Sequence, residues 1–189
     1  MKNLTITFYL FLLGCTDRNS NRIHSLNEEM NRKDTTYVFE KSNDSLVSSL
    51  PNMQSYQLDC SADVYWRIIK RGKEAIPVLI ESLTDTTLTN VYHRCKHGRL
   101  NVGEIAYFAL EEIAEFPTFI VTHYKFDVYK KGCWNFYEYL FDNRNKNEYR
   151  KMVSDFYDSN KFVYSKFNRN DITDCQRKYE IIGKYILKD

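Results

Sequence analysis

The chain has 189 residues, 43% of them hydrophobic and 28% charged, with a formal net charge of +2, six Gly and three Pro. That balance suits one ordinary globular domain and offers no electrostatic grip on nucleic acid, while a single short hydrophobic stretch at the N-terminus cannot build a polytopic membrane protein. The scarcity of Gly and Pro disfavours collagen-like, low-complexity and turn-rich all-β architectures, so the expected fold class is all-α.

In chain order, Lys2 supplies a positive n-region. Asn3 to Leu13 follows, rich in Leu, Ile and Phe, and the run ends in Leu12-Leu13-Gly14-Cys15. This is the layout of a secretory signal peptide. The apolar stretch is shorter than the roughly 20 residues a helix needs to cross a bilayer, so cleavage is expected rather than a retained span. The closing tetrad resembles the lipobox of bacterial lipoproteins. The resemblance implies that Cys15 is diacylated on its thiol, that the chain is cut before it, and that its new amino group is acylated in turn. Residues 1–14 are then a lipoprotein signal peptide and Cys15 the lipidation site. A plain secretory signal with an accidental cysteine satisfies the same general rule. Acyl chains contribute about 0.8 kcal/mol per buried CH₂, enough to hold a protein on a membrane without a transmembrane helix. The expected address is the bacterial cell envelope, facing the periplasm or the cell surface.

Residues 15–57 are rich in Asn, Ser, Asp and Arg and lack apolar periodicity, which reads as a polar tether. One short helix could start there at the capping box Ser25-Leu-Asn-Glu28. Helical spacing begins at Ser61, the expected N-cap of a helix with Val64, Tyr65, Ile68 and Ile69 on one face and a stop at Gly72. From Gly72 to Asp85, Ile76, Leu79, Ile80 and Leu83 repeat at helical spacing, with Pro77 confined to the first turn. A third helix opens at Asn101, with Glu104 completing a capping box, and directs Val102, Ala106, Ala109, Leu110 and Ile113 inward. Trp134 to Phe141 and Lys146 to Asp158 read as further helices, the second with Tyr149, Met152, Val153 and Phe156 on one face. A last helix starts at the capping box Thr173 to Gln176 and carries Tyr179, Ile182 and Ile186 inward. Asp127 to Gly132 and Ser159 to Asn170 read as polar loops. The expectation is a domain at 58–189 of five or six helices without strands.

Gly72 to Asp85 and Val102 to Ile113 together resemble a HEAT-like repeat of the phycobilisome-lyase type. The first matches the pattern Gly-x-x-Ala-Ile-Pro-x-Leu-Ile-x-x-Leu-x-Asp, the second a Val-x-x-x-Ala-x-x-Ala-Leu-x-x-Ile stripe. The likeness covers about 40 residues and implies a helix pair that binds through its surface, by fold-level analogy alone. It departs from the family where Thr86 to Leu100 intervenes, and no second copy follows.

Apart from Cys15, the cysteines are Cys60, Cys95, Cys133 and Cys175, an even set in a compartment that permits disulfides, with three connectivities open. A Cys95 to Cys133 bridge would pin the inserted loop, stabilising by roughly 3 to 4 kcal/mol from chain entropy. Cys60 with Cys175 would then tie the first helix to the last, although a buried free thiol at Cys175 also fits its stripe. The segment His93-Arg-Cys95-Lys-His97 could point three donors to one side in an extended chain, but Arg94, Lys96 and Arg99 crowd it with positive charge, so no metal is assigned. Gly132-Cys133-Trp134 has the local look of a cysteine-hydrolase nucleophile, yet no histidine follows it, and no catalytic motif or cofactor-binding loop occurs elsewhere.

A long loop between packed helices usually carries function. Tyr92, His93, Arg94, Lys96, His97 and Arg99 are therefore the candidate contact residues of a macromolecular interaction module. The expected partner is an envelope protein, either an assembly partner or a toxin or hydrolase to be blocked. The competing reading is an enzyme or binding protein acting on cell-wall glycans. It would draw on Glu111, Glu112, Asp127, Glu138 and Asp142, two of which would have to share a pocket, and on an aromatic platform at Trp134 to Phe141 with an exposed edge at Tyr137 or Tyr139.

Overall fold

The computed structural model describes residues 42–126, 129–130 and 132–188. The signal peptide, Cys15, the Ser25 to Glu28 capping box and Asp127 lie outside the described residues. Among those described, eight α-helices alternate with three antiparallel two-stranded sheets. The fold is mixed α/β, which overturns the all-α expectation.

The first helix, α1 (Asn43–Val47), is capped by the Ser42 side chain and runs into a 3₁₀ turn at Leu50–Asn52. These elements bury Leu46, Val47, Leu50 and Met53 in the common core. Residues 42–57 are thus part of the packed domain, although their polar composition assigns them to the tether. Helix α2 (Asp63–Lys70) buries Tyr65, Trp66, Ile68 and Ile69. Its expected N-cap, Ser61, caps nothing; its hydroxyl and N–H both donate to Asp59 Oδ1, at 2.6 and 2.8 Å, which closes an Asx turn one step earlier. After a 3₁₀ turn at Gly72–Ala75, α3 (Ile76–Ser82) carries Pro77 in its first turn and buries Ile76, Leu79 and Ile80.

The inserted segment is a β-hairpin, β1 (Leu88–His93) against β2 (Gly98–Asn101). Thr89, Val91 and Leu100 face the core while Leu88, Asn90 and Arg99 face out, the period-2 alternation of a half-buried strand. Helix α4 (Val102–Ile113) follows with the Asn101 to Glu104 capping box in place: Glu104 N–H donates to Asn101 Oδ1 at 3.0 Å and Asn101 N–H to Glu104 Oε2 at 2.8 Å. Its first turn abuts the end of α3 so closely that a Cβ on Gly103 would lie 2.3 Å from the Leu83 carbonyl oxygen. Glycine is the residue that allows this approach.

Helix α5 (Thr118–Thr122) ends at His123 in the left-handed region, φ 61°. A short hairpin of β3 (Tyr129–Lys130) and β4 (Cys133–Trp134) leads into α6 (Phe136–Leu140). Helix α7 (Lys146–Ser159) buries Tyr149, Val153 and Phe156, as its periodicity predicts. The segment expected as a polar loop after it contains β5 (Phe162–Lys166), which pairs with β6 (Gly183–Leu187). Between them lies α8 (Asp174–Lys178), with its Thr173 to Gln176 capping box formed. The helix stops five residues in, and Glu180 adopts φ 59°. Ile182 is therefore exposed, and Ile186 sits opposite Val163 in the sheet rather than on a helical stripe. β-Branched and aromatic residues on both strands supply the cross-strand pairs that outweigh the helical spacing. Strand β6 then docks on the end of α4, where Glu115 N–H donates to the Tyr185 carbonyl at 2.9 Å.

Candidate functional site

The site is built around a turn. Arg94 to His97 closes the β1–β2 hairpin, and Cys95 is bonded to Cys133 on β4, with Cα atoms 5.6 Å apart. The bridge sets the cationic turn beside the aromatic face of α6. Between them opens a cleft of about 440 Å³ lined by Arg94, Cys95, His97, Cys133, Trp134, Tyr137, Glu138 and Phe141. That volume is within the range of small-ligand sites. Its floor is aromatic, with Tyr137 and Phe141 stacked at 5.5 Å and 10°, and its rim carries the exposed side chains of Arg94, His97 and Glu138.

The candidate contact residues divide by side. Arg94 is exposed, its guanidinium 3.4 Å from the Gly132 carbonyl, and His97 is exposed at φ 51°. Tyr92 stacks on Tyr56 at 5.6 Å, and Arg99 is exposed on β2. His93 turns inward, with the rings of Phe108, Tyr137 and Phe141 at 5.3, 5.3 and 5.5 Å. Its Nδ1 is buried without a partner, and burial reinforced by the Arg94 and Lys96 charges pushes its pKa below the usual histidine value. His93 is thus a packing residue. The sulfur of Cys95 is committed to the bridge, so the segment His93 to His97 does not present three donors to one side. Cys133 likewise has no thiolate with which to attack a substrate.

Lys96 also points inward and supports the turn from below. Its Nζ lies 2.7 and 2.6 Å from the two carboxylate oxygens of Glu104, which is 0% exposed. Lys146 Nζ donates to Asn101 Oδ1 at 2.9 Å in the same network. Burial holds the Lys146 ammonium below its ordinary pKa, against the opposing pull of Glu104. The cap of α4 and the anchor of the turn are therefore one buried constellation.

The second disulfide joins Cys60 to Cys175, with Cα atoms 4.8 Å apart. It fastens the entrance of α2 to α8, where Trp66 stacks on Tyr179 at 6.0 Å and Lys178 Nζ donates to the Cys60 carbonyl at 2.7 Å.

The carboxylates named for glycan chemistry are dispersed. Glu112 lines a groove of about 140 Å³ between α2 and β6, and its carboxylate accepts from Gln176 Nε2 at 3.3 Å. Glu138 is at the rim of the cleft. Asp142 is held at about 2 by hydrogen bonds from Arg144. Of the described candidates Glu111, Glu112, Glu138 and Asp142, no two line one of these cavities, so they do not form the pairing that glycosidic hydrolysis needs; Glu112 shares its groove with Glu180, whose carboxylate is held by Lys70 Nζ at 2.7 Å. In the aromatic run, Tyr137 lines the cleft whereas Tyr139 packs inward against Phe126 and Phe136. Trp134 and Phe141 complete the lining; the signal for their role is that Trp134 follows Cys133 and that Phe141, just after α6, lies one helical turn beyond Tyr137.

Glu111 stands apart. One of its oxygens is buried without a hydrogen-bond partner, and burial raises its pKa to about 7, with Lys184 opposing and Glu112 reinforcing the shift. The folded protein thus binds a proton at Glu111 that the unfolded chain releases near the ordinary value of 4.5. Stability falls as pH rises between about 4.5 and about 7, and this loss persists above that window. Glu111→Gln is expected to unfold at the same urea concentration as the parent at pH 4, and to be more stable than it by roughly 2 to 3 kcal/mol at pH 8. Equal midpoints at both pH values would refute the shift.

Comparison with known protein families, with curated proteins and with solved structures finds no match to this chain. No helix among the described residues is long and apolar enough to cross a membrane.

Proposed function

We propose that the protein is a lipid-anchored component of a bacterial envelope that binds a protein partner through the disulfide-clasped turn and the cleft beside it. The observation that carries this reading is the cleft itself: an aromatic floor rimmed by Arg94, His97 and Glu138, and held by a covalent bridge and a buried ion pair. Half-buried aromatics flanked by exposed polar groups are the usual make-up of an interaction hot spot, and a turn fixed in advance lowers the entropy lost on binding. The two disulfides accord with an oxidising compartment, and the Leu12 to Cys15 tetrad supplies the anchor. Within this class, an assembly partner and a stoichiometric inhibitor of an incoming toxin or hydrolase use the same face.

The test is crosslinking and co-purification of the full-length protein from its native envelope, with Cys15→Ala as control. One stoichiometric protein partner, lost when Cys15 is replaced, is the expected result. A folded and anchored sample that returns only cell-wall fragments would contradict it and point to a glycan-binding role for the same aromatic floor.

A further inference from the structure

A second surface adjoins the cleft and shares only Trp134 with its lining. Helix α5 buries Thr118, Val121 and Thr122 and leaves Phe119 and Ile120 57% and 49% exposed. Beyond the left-handed turn at His123, Tyr124 is 49% exposed, and Tyr129 on β3 is 73% exposed. Phe119, Tyr124 and Tyr129 gather at one depression, and Ile120 follows Phe119 on the same helix. A depression of about 210 Å³ is lined by Phe119, Lys125, Phe126 and Trp134. The Tyr124 and Phe126 rings are 6.3 Å apart, Trp134 Nε1 donates to the Phe126 carbonyl, and Tyr129 is the register partner of Trp134. Exposed Phe and Ile on one short helix beside Tyr and Trp rings, with an exposed lysine at the edge, are costly in water.

We propose that this face rests on the anionic phospholipid surface to which the protein is anchored. The inference rests on the lipoprotein reading. Three observations select the bilayer over a second copy of the chain. The patch combines the two residue classes that partition into the interface: aliphatic and Phe side chains that enter the acyl boundary, and Tyr and Trp rings that sit at headgroup level. The charged group lining the depression is Lys125, which complements an anionic headgroup. Ser42, just before α1, lies 27 positions after Cys15, so the chain between them spans at most about 100 Å and keeps the domain close to the lipid at high effective concentration. A face that binds lipid fixes the orientation of the adjoining cleft, since Trp134 lines both.

The chain has two tryptophans, and Trp66 is 5% exposed in the core, so fluorescence separates them. Protein purified from the envelope, with the mass of its Cys15 peptide recorded, is reconstituted into vesicles of phosphatidylethanolamine and phosphatidylglycerol brominated in the upper acyl chain. Quenching of Trp134 with Trp66 spared is expected, assigned with Trp134→Phe, and abolished by the Phe119→Ser/Ile120→Ser double variant. Because both of those side chains are exposed, the double variant should melt like the parent, which shows it is folded. Acylated, vesicle-bound protein with unquenched Trp134 overturns the lipid face and leaves the anchor reading intact. If the Cys15 peptide carries no acyl group, the anchor reading fails on its own. The protein is then added to the same vesicles, where quenching at higher lipid concentration, weakened about tenfold by the double variant, still supports the face. Absence of quenching there overturns it. Self-association that the double variant abolishes, without quenching, would assign the patch to a second copy instead.

Discussion

Removing the Cys60 to Cys175 bridge, by the double substitution Cys60→Ala/Cys175→Ala, is expected to cost about 5 kcal/mol of folding stability. The bridge spans 115 positions, and closing a loop of that length removes the most entropy from the unfolded chain of any link in the domain. Domains of this size are stable by only about 5 to 15 kcal/mol, so the variant should stand near its unfolding threshold at physiological temperature. The Cys95 to Cys133 bridge closes 38 positions and is worth about 4 kcal/mol by the same argument. The two losses should differ in where they are felt. The first frees α8 and the entrance of α2, and the second loosens the turn and its cleft while leaving the α3 and α4 core protected. Denaturant midpoints together with amide exchange of the two double variants check this. Midpoints that do not move when the native protein is reduced would refute it.

The second large effect is expected at Glu104. Glu104→Ala removes the counter-charge of Lys96, strips the capping bond from Asn101 N–H, and leaves unpaired the ammonium of a side chain that is only 20% exposed. Breaking a buried pair from one side typically costs 3 to 5 kcal/mol because the remaining charge stays desolvated. Loss of the cap bond adds on the order of 1 kcal/mol. Lys96→Met/Glu104→Leu, which removes both charges together, should recover part of that loss. Thermal melts of the three proteins decide the matter, and a change of less than about 1 kcal/mol in Glu104→Ala would show that the network carries no weight. The consequence for function is direct, since Lys96 lies between Cys95 and His97 and its tie to Glu104 is what holds the turn from beneath.

Much of the helical core is legible in the sequence. The stripes Ile76, Leu79, Ile80 and Tyr149, Val153, Phe156 are buried as their spacing predicts, and the capping boxes at Asn101 and Thr173 form with both reciprocal bonds. Those signals are local and chemically narrow. The strands are missed because each is short and its alternation is weak. In Leu88 to His93 the residues that turn inward are Thr89, Val91 and His93, and a buried threonine, which donates to the Leu100 carbonyl at 2.8 Å, reads with the histidine as polar in any hydrophobic pattern. Gly183 to Leu187 lies at helical spacing from Tyr179, and only its pairing with β5, a long-range fact, identifies it as a strand. Polar composition likewise hides Leu46, Val47, Leu50 and Met53, which enter the core from a segment rich in Ser, Asn and Gln.

The candidate site was half visible in the same sense. The sequence marks Arg94, Cys95, His97 and Cys133 as a charged loop with a candidate covalent tie, and the aromatic run beginning at Trp134 stands out by composition. That the tie brings the two together over one cleft follows from the hairpin, which turns the inserted segment back on itself and aims Arg94 and His97 outward while His93 and Lys96 go in. An extended loop would have presented His93 and His97 alike. The parity of β1 and the left-handed turn at His97 separate them.

The proposed function makes this cleft the face that a protein partner meets. A photo-crosslinking amino acid placed in turn at His97, at Glu138 and, as a control outside the cleft lining, at Glu81 on α3 tests this in living cells. All three side chains are exposed, so none should disturb folding. The expected result is a single protein adduct formed from His97 and from Glu138 and absent from Glu81. Adducts formed equally from all three positions, or from Glu81 alone, would contradict the claim.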